Sequence, residues 1–165
     1  MTPDLWIMIA ILAVCVALSA FFSASETSFT SVNRVKLKTM AQNGNKRAQM
    51  TLNLAENYDR LITTILIGNN IVNIAAASIG TVLFTRLLGP EQGATMSTIV
   101  LTVVVLIFGE VTPKSLAKEM PETVATAVAP ALSLLMLVFT PLTWLFSQWK
   151  RFLGHFVHST EEDTI

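Results

Sequence analysis

Three long apolar runs, almost free of charge, set the fold class of this chain. They are Leu5 to about Ser28, Leu61–Leu88, and about Gly93–Thr112. A helix needs about 20 mostly apolar residues to cross a bilayer. In lipid the backbone must satisfy its own hydrogen bonds, so such runs are helices. Charged residues are only 13% of the 165, against about a quarter in a soluble domain. Mean hydropathy is +0.59. The expected fold is an all-α integral membrane protein with three transmembrane helices. Formal net charge is zero, which offers no global field for nucleic acid, and no base-reading motif is present. The single cysteine, Cys15, lies inside the first run and has no second cysteine to pair with.

Charge placement orients the spans. Residues 30–60 carry Arg34, Lys36, Lys38, Lys46, Arg47 and Arg60 against Glu56 and Asp59. By the positive-inside rule this segment is cytoplasmic, which puts the N-terminus outside and Lys114 and Lys118 inside. Thr2-Pro3-Asp4 reads as a helix start, with Thr as cap and Pro at the first position. No basic n-region precedes the first run, so it reads as a retained helix rather than a signal peptide. Within 30–60, Val32, Val35 and Met40 suggest one apolar face and Ala48, Leu52 and Ala55 another, separated by Gly44. Two short juxtamembrane helices on the inner surface are expected. Residues 122–149 are apolar but cut by Pro130 and Pro141, and a crossing would put Lys150 and Arg151 outside. The preferred reading is a kinked helix or helical hairpin along the inner leaflet, with a plain fourth span as the alternative. The expected organisation is a membrane domain over 1–153 and a polar tail or linker over 154–165.

Polar residues inside the spans point to chemistry. Glu110 ends the uncharged run that starts at Gly93, in the string Gly109-Glu110-Val111-Thr112-Pro113-Lys114. An acid at membrane depth costs about 2.5–3.5 kcal/mol on insertion scales, so a partner charge, a cation or a proton path is expected beside it. Pro113 lacks an N–H and is expected to break the third helix and free a carbonyl near Gly109. At about 1.5 Å per residue, Ser23, Asn69, Asn73 and Glu110 can all meet in the inner half of the bilayer. Asn69 and Asn73 share a helix face, as do Ser19 and Ser23. Hydroxyl, amide and carboxylate oxygens suit a hard cation such as Mg²⁺, which takes six oxygens at about 2.0–2.1 Å. The absence of His from the spans argues against zinc or copper. Na⁺ would be served by a similar oxygen set. Each residue also has a plainer role: Ser23 could bond the carbonyl four residues back, either Asn could join two helices, and Glu110 could pair with Lys114. Glu26 could be solvated or paired with Lys114, and Ala76 and Gly80 form a small-residue pair suited to helix packing or a dimer seam.

At these residues the chain resembles the transmembrane domain of the CNNM/CorC magnesium transporter family, also called DUF21. The matching strings are Phe22-Ser23-Ala24-Ser25-Glu26-Thr27, Gly68-Asn69-Asn70-Ile71-Val72-Asn73 and Gly109 to Lys114. The resemblance implies divalent cation transport, chiefly Mg²⁺ efflux coupled to Na⁺ entry. It also implies three spans, a juxtamembrane helical belt, an outside N-terminus and a homodimer in the cell inner membrane. By the motif match, Ser23, Asn73 and Glu110 are the first ligand candidates, and the Gly109 carbonyl, Asn69 and Ser25 the second. Members of the family usually continue into cytoplasmic CBS modules that bind adenine nucleotide. This sequence stops at Ile165, so those modules and nucleotide regulation are not expected within it. The rival function is a non-transporting membrane scaffold or sensor with a structural cation site. An intramembrane enzyme is disfavoured, because the spans hold no His and no paired acidic metal motif.

Overall fold

The computed structural model describes the backbone of residues 2–162 and the side chains of residues 2–157. The end of the acidic tail at Asp163 and the side chains of His158, Glu161 and Glu162 lie outside the described residues. The described chain is helical throughout: α1 (Pro3–Ser31), α2 (Arg34–Gln42), α3 (Lys46–Glu56), α4 (Tyr58–Leu88), α5 (Pro90–Val104), a π-helical segment (Val105–Val111), α6 (Thr112–Glu119), α7 (Pro121–Val138) and α8 (Thr140–Glu162).

Three long helices form the bundle: α1, α4, and the continuous helix Pro90–Glu119 built from α5, the π segment and α6. Their 29, 31 and 30 residues give lengths of about 43–46 Å at 1.5 Å per residue. That exceeds a hydrocarbon core of about 30 Å, so each helix extends beyond it. Large apolar side chains cover the outside, among them Trp6, Val14, Ile74, Ile99, Val103 and Phe108, while Ser19, Ser23, Ser25 and Ser28 are buried inside. Apolar outside and polar inside is the arrangement lipid requires. This is an all-α, multi-pass membrane protein.

Local chemistry sets the element ends. Thr2 occupies the N-cap position of α1 with extended backbone, but its hydroxyl makes no capping bond; Pro3 fills the first helical position. Asn33 caps α2 by accepting from the N–H groups of Val35 and Lys36, at 2.9 and 3.3 Å. Asn45 caps α3 through the Ala48 N–H at 3.1 Å. Gly44, at φ +94°, makes the turn between them, and Gly89, at φ +95°, is the whole connection between α4 and α5. Such backbone suits glycine alone. Opposite that turn, Gly93 lies against the Thr85 backbone, where a Cβ would meet Cα at 2.6 Å. Gly80 meets Ser97 and Leu101 of α5, and Ala76 is buried in the core. The small-residue pair on α4 is therefore a packing seam inside one chain.

Two expectations change in detail. Val35 is 73% exposed, and the buried face of α2 is carried by Leu37, which packs with Ala48 and Leu52. Leu37 sits two residues away, on the opposite side of the helix, and only that side meets α3. The third span does not break at Pro113. It passes through the π segment, where the Thr112 N–H reaches the Ile107 carbonyl five residues back. The wider turn absorbs the proline without ending the helix.

Four helices are long and apolar enough to cross a membrane, α7 being the fourth, at 18 residues. Its contacts place both of its ends at the same end of the bundle. At its start, the Glu122 carboxylate accepts from the Asn33 N–H at 3.4 Å, just past α1. At its finish, Arg60, in the first turn of α4, donates to the Met136 carbonyl at 3.4 Å and to Thr140 Oγ1 at 2.9 Å. The α1 terminus and the α4 start are themselves neighbours, through Thr30 Oγ1 and Tyr58 OH at 3.2 Å. A helix of about 27 Å crossing the membrane would instead bring Met136 to the opposite end. Ala125, Ala129, Leu132 and Met136 of α7 pack in one core with Leu54 and Ala55 of α3 and Phe29 of α1. Thus α2, α3 and α7 form a belt around the end of a three-helix bundle. Phe139 turns the chain into α8, which takes Pro141 in its first turn and runs through Gly154, so the predicted tail is helical as far as it is described. Every Lys and Arg except Arg86 lies at the belt end.

Single cysteines placed by Thr123→Cys and Gln148→Cys, in a Cys15→Ser background, are expected to react with an impermeant maleimide from one membrane side. That side is the one that labels Lys46→Cys, opposite to Gln92→Cys. Labelling of the two α7-flanking positions from opposite sides would make α7 a crossing helix.

Candidate functional site

The site forms where the π segment packs on α1, with α4 packed alongside on α1 and α5. Glycines allow the close approaches. A Cβ on Gly109 would sit 3.0 Å from Ser19 Oγ and 3.3 Å from Ser19 Cβ. A Cβ on Gly68 would collide with the Phe22 ring at 2.3 Å. Phe22 is itself buried and held edge-on by Phe21 at 5.2 Å. These contacts fix the register: Ser19 on α1 is level with Gly109, and Phe22 is level with Gly68 beside Asn69. One turn further along α4, Asn73 lines a recess of about 320 Å³ with Ala76, Ala77, Leu101, Thr102, Val105 and Leu106.

Three buried oxygens in this zone have no hydrogen-bond partner: Ser19 Oγ, Asn69 Oδ1 and Asn73 Oδ1. An unmet buried polar group costs on the order of 1–3 kcal/mol. Several other span hydroxyls are satisfied by their own helix. Ser25 donates to the Phe21 carbonyl at 2.7 Å, Ser28 to Ser25 at 3.0 Å, and Thr64 to Arg60 at 2.9 Å. The orphans are therefore confined to the place where three helices meet, and all three are oxygen acceptors.

The predicted residues fall into two groups. Gly109 is buried against Ser19, and Glu110 follows it in the π segment, partly exposed, with no ion pair or hydrogen bond among the described residues. Ser23 is 2% exposed, one turn from Ser19 on the same face of α1, and its hydroxyl makes no hydrogen bond among the described residues. Asn69 and Asn73 share one face of α4. These five belong to one zone. Ser25 points elsewhere: two residues from Ser23, it lies on the far side of α1 with its proton committed to Phe21. Asn70 is exposed, off the shared face. Lys114 does not pair with Glu110, and Glu26 is exposed without an ion pair among the described residues.

Two features went unpredicted. Ser19 is the clearest orphan on α1; its spacing from Ser23 was the available signal. The π segment is the other. Pro113 carries no N–H, so the carbonyl left over is Phe108 in the π register or Gly109 in the α register. Either adds backbone oxygen next to Glu110. Among the described residues no three His, Cys, Asp or Glu side chains cluster to hold a metal. The donor set is hydroxyl, carboxamide, one carboxylate and backbone carbonyl, which fits a hard cation held partly by water.

A polar, oxygen-lined centre inside an apolar-coated helical bundle defines a membrane protein with an intramembrane polar site. Residues 10–164 match the family described as CNNM, the cyclin M transmembrane N-terminal domain, and the chain belongs to that family. It is 44% identical over 136 residues to the UPF0053 inner membrane protein YfjD of Escherichia coli, an alignment covering 82% of this chain and 32% of that protein. It is 40% identical over 147 residues to a UPF0053 protein of Haemophilus influenzae, covering 89% and 35%. It is 33% identical over 151 residues to the polyamine export protein of Escherichia coli, covering 84% and 34%. The chain thus spans about a third of the length of these relatives.

Because the buried Asn73 carboxamide oxygen has no protein hydrogen-bond partner, Asn73→Leu is expected to raise stability by ~1 kcal/mol or more in chelator. The same variant should lose any stabilisation by added divalent ions. Thermal unfolding in detergent, with and without chelator, reads both; a fall in the ion-free midpoint would show that Asn73 is a structural tie.

Proposed function

We propose that this chain is the membrane domain of a cation transporter whose cargo is Mg²⁺. The carrying observation is the trio of unpartnered buried oxygens on α1 and α4, one of them, Ser19 Oγ, against Gly109 of the π turn that also holds Glu110. Ser23, Asn73 and Glu110 act as side-chain ligands, the Gly109 carbonyl and Asn69 complete the set, and Ser19 joins them. Ser25, on the other side of α1 with its proton given to Phe21, stays outside the set. A single carboxylate leaves a divalent ion under-neutralised, so binding is modest and release is easy. The π turn is a register that can relax to α, which moves the Gly109 carbonyl relative to Ser19 and offers a way to switch access. An inward Na⁺ gradient supplies the drive, at about 2.3 kcal/mol per charge per 100 mV.

The basic belt supports a cytoplasmic placement of that end, with the N-terminus outside, in the inner or plasma membrane. The resemblance supports a homodimer and regulation by CBS modules of a longer protein. A second reading takes a polyamine as cargo. It is favoured by the similarity to a polyamine export protein and by the recess beside Asn73, whose apolar walls suit methylene groups. A third, a scaffold or sensor with a structural ion, keeps the same ligands without flux.

Calorimetry on the purified protein separates these. Mg²⁺ binding is expected in wild type and weakened roughly tenfold or more, equivalent to ~1.4 kcal/mol, in Glu110→Ala. Undiminished Mg²⁺ affinity in that variant rejects the assignment, and spermidine binding that Mg²⁺ cannot displace favours the polyamine. Liposome flux, run beside the full-length protein, distinguishes a carrier from a scaffold.

A further inference from the structure

Arg60 and Lys150 converge on a recess of about 400 Å³ at the belt end, between the start of α4 and α8. Asp59, Thr63, Thr140 and Trp144 also line it. Arg60 Nη2 donates to Thr140 Oγ1 at 2.9 Å and to the Met136 carbonyl at 3.4 Å. Lys150 Nζ donates to Thr63 Oγ1 at 3.5 Å. Both hydroxyls already give their own protons to backbone carbonyls, Thr63 to Asp59 at 2.8 Å and Thr140 to Met136 at 2.9 Å. They can therefore only accept from the two cations. Neither cation has a carboxylate partner among the described residues, although Asp59 stands in the same recess. Two positive charges against one negative leave the recess cationic. An arginine offers five N–H donors and a lysine three, so most of the donors here remain unspent.

The recess sits at headgroup depth. Trp144 is 62% exposed beside it, and Trp149 and Phe152 stack at 5.8 Å on the outer side of α8, both exposed. Aromatic side chains of this kind anchor at the membrane–water interface. A helix with such a face opposite a basic one lies in the interface plane. We propose that Arg60 and Lys150 bind the phosphodiester of an anionic phospholipid, clamping α8 to the start of α4. The guanidinium fork matches phosphate oxygens in a way a point charge does not. The residual positive charge selects anionic over zwitterionic lipid. This role is separate from the intramembrane oxygen site and does not depend on what that site carries.

The test compares thermal unfolding of the full chain in neutral nanodiscs of phosphatidylcholine with and without phosphatidylglycerol. Wild type is expected to gain several degrees from phosphatidylglycerol. Lys150→Gln, which leaves the Arg60 bonds in place, should lose part of the gain, and the pair Arg60→Gln with Lys150→Gln most of it. Lys46→Gln, an exposed charge removed from α3, should keep the gain. The proposal is overturned if the double variant retains the full gain or if Lys46→Gln loses as much. It is overturned equally if inorganic phosphate stabilises wild type as well as the lipid does, since the site would then serve a soluble anion.

Discussion

Lipid offers no hydrogen bonds, and every polar atom in this bundle must answer to that. The backbone does so by remaining helical, even through Pro113, where a π turn replaces a break. Several span hydroxyls do so by bonding their own helix, as Ser25, Ser28 and Thr64 show. Ser19, Asn69 and Asn73 do not. Their free oxygens lie near two close helix approaches, Gly109 on Ser19 and Gly68 on Phe22, with Asn73 facing a recess one turn on. These unmet acceptors, with the unpaired Glu110 following Gly109 in the chain, are what the proposed cation site is built from.

The belt gives this centre its surroundings. Helices α2, α3 and α7 pack around one end of the bundle, and α7 returns to the end from which it started. Arg60 is the joint of this arrangement, capping the last turn of α7 through Met136 while facing α8. That end of the bundle consequently carries nearly all of the positive charge.

Much of the candidate site could be read from residue spacing. The 3.6-residue period put Asn69 with Asn73 and Ser19 with Ser23, and helix rise alone brought them to the depth of Glu110. What spacing could not show was which hydroxyl would be satisfied. Ser23 and Ser25 look alike in the string, yet one faces the helix junction and the other bonds Phe21. Ser19 stood in view as the mate of Ser23, but only packing against Gly109 exposed its unmet oxygen. Val35 was drawn into the wrong face of α2 because an apolar side chain carries no address without its partner helix.

The sequence by itself determined that this is an all-helical membrane protein, where its long spans run, and which end is basic, because length, apolarity and charge act locally and add along the chain. Tertiary structure decided the rest. It made α7 a belt helix although its composition would allow a crossing, because contacts at both of its ends, to Asn33 and to Arg60, fix them on one side. It turned the proline signal into a wide helical turn, packed along α1, within one continuous helix. It also chose which oxygens stay unpaired, since that depends on how closely three backbones approach, a distance that no single segment encodes.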